Sequence, residues 1–240
     1  MLQKTLNLGI LAHVDAGKTT LTERLLYEAG VIDEPGSVDA GTTQTDSLTL
    51  ERQRGITIRS AVASFAVDDV HVNLIDTPGH PDFIAEVERV LSVLDGAVLV
   101  LSAVEGVQPQ TRILMRALQR LRIPTLVFVN KIDRPGADDE RVVQEIAERL
   151  TTALVPMGTA QALGTRVASF TLTGEDSAHR AQLAELLAER DEGILAAYVE
   201  GESDVPYDLL RDALAVQTKR ALVHPVFFGS RSRVRAWWRC

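Results

Sequence analysis

The chain has 240 residues, of which 45% are apolar, and a formal net charge of −8, so it can bury the core of one large domain. Its single cysteine excludes a disulfide framework and fits a reducing cytoplasm, and its apolar stretches are too short to span a bilayer. Because the net charge is acidic, we do not expect wholesale wrapping of nucleic acid, although docking through a local patch stays open. We expect a cytoplasmic monomer with neither DNA nor a membrane as partner.

Strand-like and helical segments alternate along the first 150 residues. Short apolar stretches at 5–11 and 96–103 are typical of buried strands, and a helix with one apolar face follows each of them. This alternation predicts an α/β fold, with a mostly parallel sheet and helices on both of its faces. In the helix predicted over 111–121, the residues expected to face inward are Ile113, Leu114, Ala117, Leu118 and Leu121.

The segment from about 154 to 222 follows a different pattern. It holds one strand-like stretch at 166–173, then helical stretches at 178–199 and 206–222. The core-strand pattern returns only with the sequence HPVFFGS. We therefore predict one domain over residues 1–230 that carries an inserted α+β subdomain.

A phosphate-binding loop is predicted directly after the first strand, where the sequence reads AHVDAGKTT. Gly17 would let the backbone pass close to a phosphate, Lys18 would reach the outer phosphates, and the Thr19 hydroxyl would bind Mg²⁺. The alternative is a strand–loop–helix joint with an accidental Gly-Lys pair, which the predicted strand and helix on either side disfavour. The residues expected to contact the nucleotide are Ala12, His13, Val14, Asp15, Ala16, Gly17, Lys18, Thr19 and Thr20.

The sequence DTPGH stands between the end of a predicted strand and the start of a helix. Asp76 is expected to hold Mg²⁺ through water, and the N–H of Gly79 to meet the γ-phosphate, with Thr77 and Pro78 beside them. His80 is the predicted catalytic residue, which would orient the water that attacks the γ-phosphate. The alternatives are a helix-capping role for the carboxylate and a structural role for the histidine.

The sequence NKID closes another predicted strand. Asp133 can accept hydrogen bonds from the N1–H and the amino group of guanine, whereas adenine would leave the carboxylate unpaired at a cost of about 1–3 kcal/mol. Lys131 would lay its stem over the purine, Asn130 would tie this loop to the phosphate loop, and Ile132 lies between these contacts. The expected ligands are therefore GTP and GDP.

Thr57, in the sequence GITI, follows a polar stretch without periodicity. Its hydroxyl is expected to bind Mg²⁺ and its N–H the γ-phosphate, so that GTP would order this loop. The alternative is a β-branched residue that simply begins a strand. For the imidazole rings of His13, His71, His179 and His224 we expect structural roles.

AHVDAGKTT, RGITI, DTPGH and NKID, in this order, resemble the translational GTPases of the elongation factor G group. Within that group, GTTQTDSLTLERQRGITI and IPTLVFVNKID are more similar to the tetracycline-resistance ribosomal protection proteins. The resemblance implies ribosome-stimulated GTP hydrolysis, contacts with ribosomal RNA and proteins, and release of tetracycline from the ribosome. It also implies that Val14 and Ile56 flank His80 as an apolar gate, that Ser230 belongs to the last guanine-contacting loop, and that 154–222 is this family's extra subdomain.

Two other functions stay open: an elongation factor or related ribosome-associated GTPase without a resistance role, and a non-catalytic or unstable fragment. The domains that follow the G domain in this family, and the helix expected after the last core strand, are absent from the sequence. We therefore expect a truncated chain that does not confer tetracycline resistance by itself.

Residues 231–240 are composed unlike the rest of the chain, with four arginines, both tryptophans, the only cysteine and no acid. Removing them changes the net charge from −8 to −12. We expect this end to be out of frame, because one added base in a suitable set of codons turns it into AITGAGVVAL, which fits a guanine loop and a helix. The alternative is an Arg/Trp arm that binds RNA by charge and stacking, and resequencing codons 228–240 distinguishes the two.

Overall fold

The computed structural model describes residues 4–34, 36, 61–77, 84–173, 176–199 and 205–230. Strands and helices alternate over most of this part of the chain, as the sequence predicts. The elements are β1 (Lys4–Ala12), α1 (Lys18–Glu28), β2 (Ala61–Val67), β3 (Val70–Asp76), α2 (Ile84–Leu91), β4 (Gly96–Ser102), α3 (Pro109–Arg120), β5 (Thr125–Asn130), α4 (Asp139–Arg149), β6 (Leu154–Pro156), β7 (Gly158–Gln161), β8 (Ser169–Leu172), α5 (Ser177–Ala188), α6 (Glu192–Val199), α7 (Tyr207–Lys219) and β9 (His224–Phe228).

Within the described residues, seven strands form one sheet in the order β2-β3-β1-β4-β5-β9-β6. Only β2 runs antiparallel to its neighbour, and the other pairs are parallel. Because parallel strands are covered on both faces, β4 is buried along its whole length. The predicted mostly parallel α/β fold is confirmed.

Two apolar clusters lie on opposite faces of the sheet, because successive side chains of a strand point to opposite sides. Leu99 and Leu101 of β4 pack in the cluster that includes α2, α3 and α4. Val98 and Val100 pack in the other cluster, against Leu21 of α1. The central strands are therefore continuous apolar runs rather than alternating ones.

The buried face of α3 differs from the predicted one. Thr111, Leu114, Met115 and Leu118 are buried, whereas Ile113 is 52% and Leu121 is 45% exposed. The prediction was wrong for these last two residues and omitted Met115. The buried face begins at Thr111 and continues at i+3, i+4 and i+7 from it. Because Thr111 is polar, a search for apolar residues at helical spacing does not find the first residue of this face.

The predicted insertion begins with a strand of the main sheet. β6 pairs with β9, with Leu154 opposite His224, and residues beyond it form the β7–β8 hairpin, of which the sequence suggested only the second strand. The helical stretch predicted over 178–199 is two helices, because the Asp191 side chain accepts from the N–H groups of Gly193 and Ile194 and starts a new one.

Helices α5, α6 and α7 share an apolar cluster of their own, which includes Leu183, Leu187, Ile194 and Leu210. Val155 of β6 and Val223, which precedes β9, also belong to this cluster. The cluster therefore packs beside strands β9 and β6 of the main sheet. No helix of the described part of the chain is long and apolar enough to cross a membrane.

Candidate nucleotide-binding site

The loop between β1 and α1 turns through two left-handed residues, Asp15 at φ 63° and Gly17 at φ 91°. Gly17 caps α1, and a Cβ atom at this position would collide with the side-chain amide nitrogen of Asn130. Glycine is therefore required here both by the backbone conformation and by the close approach of a second loop. The loop leads into the N-terminus of α1, where N–H groups without an intrahelical acceptor and the helix dipole favour an anion.

Lys18 and Asp76 form a buried ion pair, with Nζ 2.6 Å from Oδ1. Both residues are nearly inaccessible, and the Thr22 hydroxyl lies 3.4 Å from the same carboxylate oxygen. A buried charge is tolerated only when it is paired, so each of these groups depends on the other. The tertiary structure thus joins two predicted site residues that are far apart in the sequence.

The oxygen groups at this place fit the predicted Mg²⁺ ion. The Asp76 carboxylate lies at the end of β3, and Thr19 is in the first turn of α1, so each offers the hard oxygen donor that Mg²⁺ prefers. No group of three or more histidine, cysteine or acidic residues that could hold a metal occurs within the described ranges.

The Thr77 side chain forms a hydrogen bond within the sheet. Its hydroxyl is buried and donates to the carbonyl of Ile10 at 2.8 Å, which ties the end of β3 to β1. Only the backbone of Thr77 is therefore left for the predicted nucleotide contact.

Asn130 links the last predicted loop to the first. Its side-chain nitrogen donates to the carbonyl of Ala16 at 2.9 Å, and the bond is buried. This is the link between the two loops that the sequence predicts. Because β1, β4 and β5 are parallel neighbours, their loops meet at one edge of the sheet, where ligands of such folds bind.

Residues 131–133 and 229–230 lie together at this edge. Ile132 is buried, and its N–H donates to the carbonyl of Gly229 at 3.3 Å. Ser230 lies two residues after the end of β9 and is buried, while Asp133 and Lys131 are partly exposed. The two loops predicted to hold the guanine base are therefore in contact.

Glu105 is a site residue that the sequence analysis missed. One carboxylate oxygen lies 3.0 Å from Nε2 of His13, and the other lies 3.2 Å from Nζ of Lys131. Nδ1 of His13 lies 3.1 Å from the Thr111 hydroxyl. Burial lowers the pKa of His13 below its usual 6.5, although the hydrogen bond to Glu105 opposes this shift. Its position in the sequence could have indicated this role, because Glu105 is an acidic residue just after β4, a buried strand that ends at the same edge.

Several predicted residues lie outside the described part of the chain, namely Ile56, Thr57, Pro78, Gly79, His80 and residues 231–240. Ala12 and Ala16 are buried, and Val14, Thr19 and Thr20 are partly buried.

A strand–loop–helix phosphate cradle, a buried Lys–Asp pair and an asparagine-tied loop at one sheet edge define a P-loop nucleotide-binding protein. The family model of the elongation factor Tu GTP binding domain matches residues 3–231. The chain belongs to that family.

Comparison with known proteins also confirms the predicted resemblance to tetracycline-resistance proteins. The chain is 64% identical over 227 residues to the oxytetracycline resistance protein of Streptomyces rimosus, covering 94% of this chain and 34% of that protein. It is 56% identical over 227 residues to the tetracycline resistance protein TetM of Streptomyces lividans, covering 95% and 35%. With the protein TetO of Campylobacter coli the identity is 64% over 152 residues, covering 63% and 24%.

The chain therefore spans about a third or less of the length of these relatives. Among solved structures, a crystal structure of a protein from Thermus thermophilus is similar, with a TM-score of 0.82 and 28% identity. The match covers 95% of this chain and 37% of that one.

Proposed function

We propose that the chain binds GTP with Mg²⁺ and hydrolyses it to GDP and phosphate, as the G domain of a ribosomal protection protein that releases tetracycline from the ribosome. The observation that carries this proposal is the meeting of Lys18, Asp76 and the Asn130–Ala16 link at one sheet edge. The similarity to proteins named for tetracycline resistance supports the resistance role.

The phosphates would bind at the loop before α1, where N–H groups and the helix dipole attract negative charge. The Lys18 ammonium is held by Asp76, so it would exchange this partner for phosphate oxygens when nucleotide and cation arrive together. Thr19 and Asp76 would hold the Mg²⁺, the carboxylate through water, and the ion would neutralise charge on the phosphate oxygens. The ion pair keeps both groups compensated until then.

The base would bind where residues 131–133 meet 229–230. Asp133 would accept from the two donors of guanine, and Lys131 would cover the ring with its stem. Asn130 and Ser230 would hold the loops around the base. The bond from the Asn130 side-chain amide to the carbonyl of Ala16 supports this role.

Hydrolysis would depend on His80, which would orient the attacking water, and on Thr57, which would sense the γ-phosphate. Both roles rest on the sequence patterns DTPGH and GITI, whereas the gate of Val14 and Ile56 is implied by the family resemblance. The ribosome would supply the activating geometry through its RNA and proteins. We place the protein in the cytoplasm as a monomer, in one domain over residues 1–230 with an inserted subdomain.

The first test is a titration of the purified chain with fluorescent GDP and Mg²⁺, with GTP and ATP as competitors. Displacement by GTP but not by ATP is expected, because adenine leaves the Asp133 carboxylate unpaired. Equal displacement by ATP would contradict a guanine site.

Turnover is tested separately, by measuring phosphate release from GTP with and without ribosomes. Ribosomes are expected to stimulate the rate, and His80→Ala is expected to remove the stimulation while GDP affinity is kept. An unstimulated chain that nevertheless binds GDP would refute the ribosomal partner but not the nucleotide site.

A further inference from the structure

Glu105 joins the phosphate loop to the base loop through a single carboxylate. Oε2 lies 3.0 Å from Nε2 of His13, and Oε1 lies 3.2 Å from Nζ of Lys131. A carboxylate can only accept hydrogen bonds, so both partners must donate. We call this arrangement the Glu105 bridge.

The bridge requires a proton on Nε2 of His13. Nε2 must carry a proton to donate to Glu105, and a neutral ring then accepts the hydroxyl proton of Thr111 at Nδ1, over 3.1 Å. The ring is almost fully buried, which favours the neutral form. His13 is thus fixed by α3 on one side and by the Glu105 bridge on the other.

The turn that presents Glu105 is itself held rigidly. The N–H groups of Val104 and Glu105 both donate to the Ser102 hydroxyl at 3.2 Å. Arg141 of α4 donates to the carbonyls of Ala103 and Val104, at 3.1 and 2.9 Å. The backbone on either side of the carboxylate is therefore anchored to β4 and to α4.

A second carboxylate supports the same turn from α4. Glu145 accepts from the N–H of Val107 at 2.9 Å and pairs with Arg141 at 2.8 Å. Gly106, at φ 66°, lies against this pair, and a Cβ atom there would collide with the Glu145 carboxylate. An incidental surface glutamate would not need a support of this kind.

We propose that Glu105 is a positioning residue for guanine-nucleotide binding, which orders the Lys131 side chain and the phosphate loop together before the nucleotide arrives. The inference rests on the proposed function. Lys131 has a flexible stem and only three-quarters of its side chain is buried, so anchoring its ammonium reduces the conformational entropy lost when the stem covers the base. Because His13 and Lys131 share one acceptor, the two loops are coupled.

The test compares the 240-residue chain with its Glu105→Gln variant, which keeps the side-chain length but offers an acceptor to only one of the two donors. We expect the Kd for GDP to rise about threefold to tenfold. The KM for GTP should rise equally with kcat unchanged, because the bridge includes neither of the residues proposed for hydrolysis, Thr57 and His80. The matched control is Glu185→Gln, an exposed residue of α5.

A double-mutant cycle separates positioning from a general structural role. In a Lys131→Met background, Glu105→Gln should weaken GDP binding less than it does in the unaltered chain, because one of the two donors is gone. Full additivity of the two losses, or a Glu105→Gln variant whose GDP affinity is unchanged, would overturn the proposal. An unaltered chain that binds no guanine nucleotide would overturn the proposed function as well, so the two failures are distinct.

The position of the proton on the His13 ring is a further test, and it does not require that the variants be equally stable. Long-range proton–nitrogen NMR of the unaltered chain at pH 7 should show a neutral ring with its proton on Nε2. A neutral ring protonated on Nδ1 cannot donate to Glu105, so this result would refute the bridge directly.

Discussion

The sheet edge that holds the predicted site and the helical cluster of α5, α6 and α7 differ in the side chains that they bury. The edge buries charged and polar groups, among them Lys18, Asp76 and Asn130, each with a partner on another loop or strand. The helical cluster buries Leu183, Leu187 and other apolar residues.

The two regions also differ in what they expose. The helices carry large apolar side chains on their surface, namely Leu195, Tyr198, Val199, Leu209 and Val216. Apolar burial in the helical cluster favours folding, whereas the buried polar groups at the edge cost free energy and compensate one another. A substitution of a buried apolar residue in the helical cluster should therefore lower stability and leave nucleotide affinity nearly unchanged.

The largest expected effect is on stability, at Leu187. Its side chain is fully buried in the helical cluster, so Leu187→Ala should lower the free energy of unfolding by about 2–5 kcal/mol. Urea unfolding measures this change, and the control is Leu195→Ala, on the exposed surface of α6. A folded Leu187→Ala protein should bind GDP as the unaltered chain does, and a large loss of affinity would break the separation of the two regions.

A comparable effect, but on binding, is expected at Lys18. Lys18→Ala removes the ammonium that would contact the phosphates, and GDP affinity should fall about a hundredfold. Isothermal titration of the folded variant measures the loss, with Lys219→Ala at the exposed end of α7 as the control. Equal affinities of the two variants would show that the phosphates do not bind at the loop before α1.

Asp133→Asn should change the preferred base rather than abolish binding. An amide offers one donor and one acceptor, so GDP affinity should fall by about tenfold or more, while xanthosine diphosphate, which has a carbonyl in place of the amino group, should bind better. Competition titrations with both nucleotides measure this change, and Asp212→Asn, on the exposed face of α7, is the control. If GDP keeps its full affinity, Asp133 does not contact the base.

The smallest effect is a dependence of stability on pH. Burial lowers the pKa values of His13, His179 and His224 below the usual 6.5. The unfolded chain therefore binds these protons more readily, and stability should fall as the pH drops from about 6.5 through the lowered values in the folded protein. Melting curves at pH 7.5 and 5.5 test this expectation.

His179→Leu should reduce that pH dependence without harming the nucleotide site. Nε2 of His179 is buried and makes no hydrogen bond within the described part of the chain, so an apolar replacement removes both a polar burial cost and a titrating group. A variant with the same difference between the two melting temperatures would show that His179 does not contribute.

Over the first 150 residues, the sequence alone determined the order of the strands and helices and the loops that carry the site. Hydrophobic periodicity is a local property, and so are the loops AHVDAGKTT and NKID at the ends of apolar strands. The parallel arrangement then brings those loops to one edge, which is why the link from Asn130 to the phosphate loop could be predicted.

Only the tertiary structure decided which side chains meet across that edge. The pair of Lys18 with Asp76 and the Glu105 bridge join residues far apart in the chain, and no local pattern encodes such partners. Likewise, β6 joins the main sheet because it pairs with β9, about seventy residues later. Long-range hydrogen bonds and ion pairs form only when packing brings distant residues together, whereas each strand and loop is specified by its own short stretch of sequence.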